Sequence, residues 1–163
     1  AVREAGFPEW TVLRPSFMMD NFMQPKANVL FPQLRQGLIV TPIAARSRLQ
    51  LICGDDIGAF ARAAFEQPAR FDRKILELAT DDLTIGDIAA VLSRELGRSV
   101  SARSVSPEEA QKAGLFPGWV RAQEWINEVG YHADIGALKP HGVPLTSFPE
   151  WVRRHASEIA IDT

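Results

Sequence analysis

The chain has a single cysteine, Cys53, so no disulfide can form within it, and a reducing compartment is the natural expectation. No apolar run approaches the ~20 residues of a bilayer-spanning helix. The opening residues, AVREAGFPEW, lack the apolar segment of a secretory leader. The cytoplasm is therefore the expected location. Basic residues show no excess: 18 Lys and Arg stand against 20 Asp and Glu, a net charge of −2. Such a chain offers no field to draw in nucleic acid. His132, His141 and His155 are scattered, and none pairs with Cys or His at ligand spacing, so no metal site is expected. There is no GxSxG elbow around Ser16, which sits in RPSFM. There is also no GxGxxG and no GxxxxGK[ST]; glycines come singly, at turns and helix ends. A nucleotide pyrophosphate site must then come from outside these residues.

What is present suits a globular protein. The chain is 46% hydrophobic and 23% charged over 163 residues, one domain or a large piece of one. A chain of ~150 residues buries about 68–70% of its unfolded surface, so a sizeable core is available. Residues 1–5 look like a helix end closed by Gly6. Glu9 to Arg14 reads as a strand that Pro15 ends, since proline cannot donate to a ladder. Asp20 to Gln36 reads as helix interrupted at Pro25 and Pro32. Further strands are expected at Leu38–Val40, Leu49–Cys53, Lys74–Leu78 and Ser99–Val105. Asp55 or Asp56 can cap the helix whose stripe is Ile57, Phe60, Ala61, Ala64 and Phe65. Thr84 caps a helix bearing Ile85, Ile88, Ala89, Leu92 and Leu96, closed by Gly97. Ser106 to Glu109 and Ser147 to Glu150 read as capping boxes. Between them, Trp119, Ala122, Ile126 and Val129 form a helical stripe.

Strands alternating with helices argue for βαβ units and a parallel sheet. The strands are few for a complete doubly wound sheet, and the tail is rich in helix.

The stretch WTVLRPSFMMDNF carries the main candidate site. In open α/β sheets ligands lie beyond the carboxyl ends of the strands, which is where Pro15 to Met18 should stand. Proline fixes the direction of exit. Phe and Met side chains give a soft apolar wall for a flat ring, and Asn21 adds a group that donates and accepts. The competing reading, held nearly even on the residues alone, is a buried helix entry with extra core side chains. Other candidates favour plain roles. Arg46 and Arg48 are more simply solvated than bound to phosphate, and Cys53 is a small buried hydrophobe. Asp55 and Asp56 serve capping, and His155 is structural. Trp119, Trp125 and Tyr131 either pack the C-terminal helices or line a cavity.

The stretch also resembles the strand-to-loop segment of the NmrA-like family, atypical short-chain dehydrogenase/reductase relatives. The resemblance continues in register through REAGFPEW, LICGDDIGAFARAAFEQP, KILELATDDLTIGDIAAVLSRELGRSVSARSVSPEEA and SFPEWVRRHA. It implies an α/β fold, the C-terminal part of a Rossmann-type doubly wound parallel sheet with a helical substrate-side subdomain. Residues 1–105 would hold the last strands and helices, and 106–163 a mainly helical cap. A glycine-rich half and any catalytic Lys or Tyr are expected before residue 1. By the same resemblance Pro15, Ser16, Phe17 and Met18 border a nicotinamide, while Asn21, Phe22 and Trp125 face a substrate. The implied cofactor is NADP or NAD, with NADP favoured. The implied activity is reduction of a small quinone, enone or carbonyl compound. The alternative is a dinucleotide sensor that binds a protein partner without turnover. Either way, an oligomer or the N-terminal half should cover the sheet edge at Glu9–Arg14.

Overall fold

The computed structural model describes residues 2–159 and 161–162. In chain order its strands are β1 (Thr11–Pro15), β2 (Phe17–Met18), β3 (Leu38–Thr41), β4 (Arg48–Ile52), β5 (Lys74–Leu78), β6 (Asp81–Thr84) and β7 (Ser101–Ser104). Its α-helices are α1 (Lys26–Leu30), α2 (Gly54–Glu66), α3 (Pro68–Phe71), α4 (Ile85–Leu96), α5 (Pro107–Lys112), α6 (Pro117–Glu128) and α7 (Phe148–Arg154). Val2–Glu4 is a short 3-10 turn ending near Gly6, and Ala1, the start of the expected helix end, lies outside the described residues.

The pairing is mostly parallel, as a chain of βαβ units requires. β1 lies parallel to β5 with Val12 opposite Ile75, β2 parallel to β4, and β3 parallel to β7. β6 runs antiparallel on the other side of β4. Among the described residues, β1 has no strand on its second edge.

Pro15 is the last residue of its strand, as expected. It closes β1 opposite Leu78, still inside the ladder. The next ladder bond comes from Ser16, whose N–H donates to the Leu78 carbonyl at 3.0 Å, so the donor that proline lacks is not needed there. At Ser16 the strand changes partner, from β5 to β4.

Local signals set several helix ends. Thr84 and Asp87 form a full capping box on α4, Ser106 and Glu109 do so on α5, and Gly97 ends α4 at φ 63°. The Ser147 hydroxyl accepts from the Glu150 N–H to open α7. The expected cap on α2 is different. Neither Asp55 nor Asp56 caps it; both lie within the first turn. The Gly54 N–H instead donates to Asp20 Oδ2 at 3.0 Å, so the cap comes from 34 residues upstream.

The main core joins Phe17, Met19, Phe22, Phe31, Leu49, Leu51, Ile88, Leu92, Phe148 and Trp151. A second cluster, with Ile52, Phe60, Phe71, Leu78 and Leu138, packs α2 and α3 on the sheet. Two expected stripes need correction. Phe65 is 88% exposed, on the far side of α2 from buried Phe60. On α6 the buried positions are Val120, Gln123 and Ile126, while Ala122 and Val129 face outward. A glutamine reaches the inner face because it finds a partner there: Thr41 donates its hydroxyl to Gln123 Oε1 at 2.6 Å.

Candidate functional site

The partner change at Ser16 leaves a depression at the carboxyl end of β1. The far wall comes from the end of α6 and the segment after it. Gly130 turns the chain there at φ 69°, and a Cβ would stand 3.3 Å from the Ile126 carbonyl, so a side chain is strained at this turn. The resulting cavity is about 420 Å³, walled chiefly by Arg14, Pro15, Ser16, Trp125, Tyr131 and His132. That volume falls within the ordinary range of small-molecule sites, about 300–1,000 Å³.

Its chemistry is an apolar lining with few polar groups. Trp125 and Tyr131 meet edge to face, ring centroids 5.4 Å apart. Burial raises the Tyr131 pKa above its usual value, so the phenol stays neutral and able to donate at neutral pH. Ser16 is buried, and among the described residues its Oγ finds no hydrogen-bond partner. An unpaired buried hydroxyl costs about 1–3 kcal/mol. Arg14 and Glu77 pair at 3.3 Å on the rim, both exposed, a contact worth ~0–1 kcal/mol.

Polar struts hold the walls in place. Asn127, near the end of α6, accepts from the Ala44 N–H at 2.8 Å and donates to the Pro42 carbonyl at 2.9 Å. Gln50 on β4 bonds both backbone groups of Ala133.

Of the expected site residues, this cavity brings together Pro15, Ser16 and Trp125. Phe17 and Phe22 are not on its wall but in the main core, 4% and 0% exposed. Their rings join a cluster in which Phe22 stacks on Phe31 at 5.0 Å and Phe17 meets Trp119 at 5.8 Å. Met18 and Asn21 are partly buried and stand off the cavity wall. Trp119 takes the packing role, its Nε1–H donating to the Leu30 carbonyl at 2.9 Å. Arg46 is exposed, and Arg48 is paired with Asp82. Cys53 is buried, and burial pushes its thiol pKa up to about 11, which leaves it unreactive at neutral pH. His155 lies against Trp151 at 5.1 Å with Nδ1 2.7 Å from Glu158.

Sequence reasoning missed Arg14, His132 and Gln50 as site residues. Gln50 carried a signal: a polar side chain held between Leu49 and Leu51 in an apolar strand asks for a buried partner. His132 carried none, because its place depends on contacts distant in sequence.

Comparison with known proteins adds to this geometry. The sequence model of the NmrA-like family matches residues 1–142. A Bacillus subtilis protein described as the uncharacterized oxidoreductase YesF is 32% identical over 166 residues, covering 96% of this chain and 56% of its own length. The solved structure of an NADPH-dependent quinone oxidoreductase from Escherichia coli superposes with a TM-score of 0.75 at 21% identity, over 94% of this chain and 57% of that one. The negative transcriptional regulator NmrA, in complex with NAD, superposes with a TM-score of 0.69 at 16% identity, over 98% of this chain and 56% of that one. The chain thus spans a little over half the length of these relatives.

Proposed function

The chain belongs to the NmrA-like family, and from that premise we propose that it is the C-terminal part of an NAD(P)H-dependent reductase acting on a small quinone, enone or carbonyl compound. The observation that carries the proposal is the Ser16 hydroxyl, buried and unpaired beside a ring-sized apolar cavity. Those residues fit a neutral flat ring with one polar substituent, such as a nicotinamide carboxamide or a quinone carbonyl.

In this reading Pro15 and Ser16 border the nicotinamide directly, with Phe17 and Met18 behind them as backing. Trp125 faces the substrate side, with Asn21 and Phe22 supporting it from off the cavity wall. When bound, the nicotinamide supplies hydride. The chain's own residues orient the two rings and exclude water. Reduction of a carbonyl also needs a proton on its oxygen. The neutral Tyr131 phenol and the His132 imidazole, both on the cavity wall, are placed to supply one. NADP is the cofactor proposed, on family resemblance, with NAD as its rival.

The unpaired edge of β1 and the apolar surface of Trp10, Leu13, Ala61 and Phe65 beside it are proposed to be covered by further polypeptide of this protein or by a second copy. The cytoplasm is the proposed location.

A second reading is a dinucleotide sensor that binds a protein partner without turnover. Its support is the likeness to a transcriptional regulator solved with NAD. One experiment separates the two. NADPH absorbance is followed with a panel of quinones, using this chain within the longest polypeptide its gene encodes. Turnover with any acceptor supports the reductase. NADPH binding with no turnover across the panel supports the sensor.

A further inference from the structure

Between Gly130 and Asp134 the chain has no regular structure, yet Tyr131, His132 and Ala133 form part of the cavity wall. Among the described residues, one group alone hydrogen-bonds the backbone of these three: the side-chain amide of Gln50. Gln50 Nε2 donates to the Ala133 carbonyl at 3.0 Å, and Gln50 Oε1 accepts from the Ala133 N–H at 2.8 Å. A neighbouring strand would offer the same two-point pairing. Gln50 is 7% exposed and stands in register opposite Asp82 of β6.

We propose that Gln50 is a positioning residue for the cavity. Its amide latches the 131–133 strap to the sheet, holding Tyr131 and His132 across the cavity from Ser16 so that a flat ring fits between them. This rests on the reading of the cavity as a ring site. A strap with no regular structure loses conformational freedom when it is ordered. If the latch is absent, the ligand must do that ordering at the expense of its own affinity. Gln50 suits the task because β4 is fixed from both sides, by β2 and β6. The strap therefore inherits the rigidity of the sheet without being a strand.

The test uses the 163-residue chain and menadione, a flat neutral quinone, as probe. Gln50→Met keeps the length and removes both hydrogen bonds. The amides of Tyr131, His132 and Ala133 should then exchange with solvent about tenfold faster, while those of β1 and β5 are unchanged. Menadione affinity, read by tryptophan quenching that Trp125→Phe abolishes, should fall about tenfold. Gln50→Glu gives a signature that general loosening does not. A protonated carboxyl presents one donor and one acceptor, as the amide does, whereas a carboxylate offers no donor. The variant should bind weakly near pH 8 and recover near pH 5, with the wild type, which shares Asp82 and His132, showing no such recovery.

Unchanged strap exchange in Gln50→Met overturns the latch. Equal menadione affinity in wild type and Gln50→Met overturns its functional role. Absence of saturable menadione binding to the wild type overturns the ring-site reading and the role built on it. That failure is recognisable because the exchange measurement still reports the latch on its own.

Discussion

Asp56 and Thr146, 90 residues apart, form a buried two-point join: Asp56 Oδ2 accepts from the Thr146 N–H at 2.7 Å and Oδ1 from its hydroxyl at 2.9 Å. Asp81 repeats the device nearby, its Oδ2 accepting from the Phe148 N–H at 2.5 Å. One acid on α2 and one on β6 therefore hold the stretch that leads into α7. The C-terminal helix that follows packs its Phe148, Trp151 and Val152 into the main core.

Asp56→Ala should cost about 2–4 kcal/mol, because it strands a buried N–H and a buried hydroxyl. For a chain of this size that lowers the melting midpoint by roughly 5–15 °C. Thr146→Val keeps the N–H bond and should lose about half as much. Thermal melts followed by circular dichroism decide it. An Asp56→Ala midpoint within about 2 °C of wild type would show that the join contributes little.

What the sequence disclosed follows the range of each interaction. The boxes at Thr84–Asp87 and Ser106–Glu109 span three residues, so their partners are visible in the text of the chain. The parallel strands and the Ile85–Leu92 stripe were equally legible, because periodicity is local. Asp56 was misread as a cap because its partner lies 90 residues on, and Asp20 was overlooked as one because it caps from 34 residues away. Gln123 has no place in the expected α6 stripe, since nothing nearby announces Thr41. The site divides the same way. Pro15 and Ser16 follow from the rule about strand ends, whereas the strap opposite them depends on Gln50, 83 residues away.

His141 should make stability depend on pH. Its ring lies 4.9 Å from Phe71 and edge-on to Phe60, with Nδ1 buried and unpaired. Burial, with Lys74 and Arg70 nearby, holds its pKa below the usual 6.5. The folded chain therefore prefers the neutral ring, and the unfolded chain takes up the proton first as pH falls. This source of stability is intact above the unfolded value and is lost as pH drops through about 6.5 toward the folded one. His141→Phe keeps the ring and removes the titration. The wild-type midpoint should fall relative to the variant between about pH 8 and about pH 5.5. Parallel curves would remove His141 as the cause.

The 163-residue chain should bind NADPH no tighter than about 100 μM, because an anion cradle at a helix N-terminus is what holds a pyrophosphate. α2 is the long helix that opens on glycine, and its first N–H is taken by Asp20. A Cβ at Gly54 would lie 3.1 Å from Asp20 Oδ1, so the chain's own carboxylate fills that space. Isothermal calorimetry on this chain tests the point. A micromolar Kd would mean that the chain carries a pyrophosphate site of its own.

Phe65 should govern self-association more than folding. It is 88% exposed beside Trp10, Leu13 and the unpaired edge of β1. Phe65→Lys removes no buried contact, so the melting midpoint should move by no more than a surface change does, about 0.5 kcal/mol. If an apolar face there drives association, the same change should shift the chain toward monomer in light scattering across a concentration series. An unshifted mass distribution would remove this face from the interface.

Trp119 and Trp125 lie on one helix, and their substitutions should separate stability from binding. Trp119 packs on Phe17 and Phe31 and donates to Leu30, so Trp119→Ala opens a cavity in the aromatic cluster and should cost about 3–5 kcal/mol. Trp125 is 42% exposed and meets Tyr131 at the cavity, so Trp125→Ala should cost under about 1 kcal/mol. Its effect should appear instead on ligand capture, with menadione affinity, read by calorimetry, falling about tenfold, since stacking on an aromatic wall is worth roughly 1 kcal/mol or more. The two residues are six positions apart, about 1.7 turns, so their side chains point about 120° apart around α6, Trp119 into the aromatic cluster and Trp125 toward the cavity. The inner end is fixed by the core, and the outer end is held by Asn127 where the loop after β3 meets the helix. If Trp125→Ala proved as destabilising as Trp119→Ala, the cavity wall would be part of the core, and the case for a ligand site there would fail.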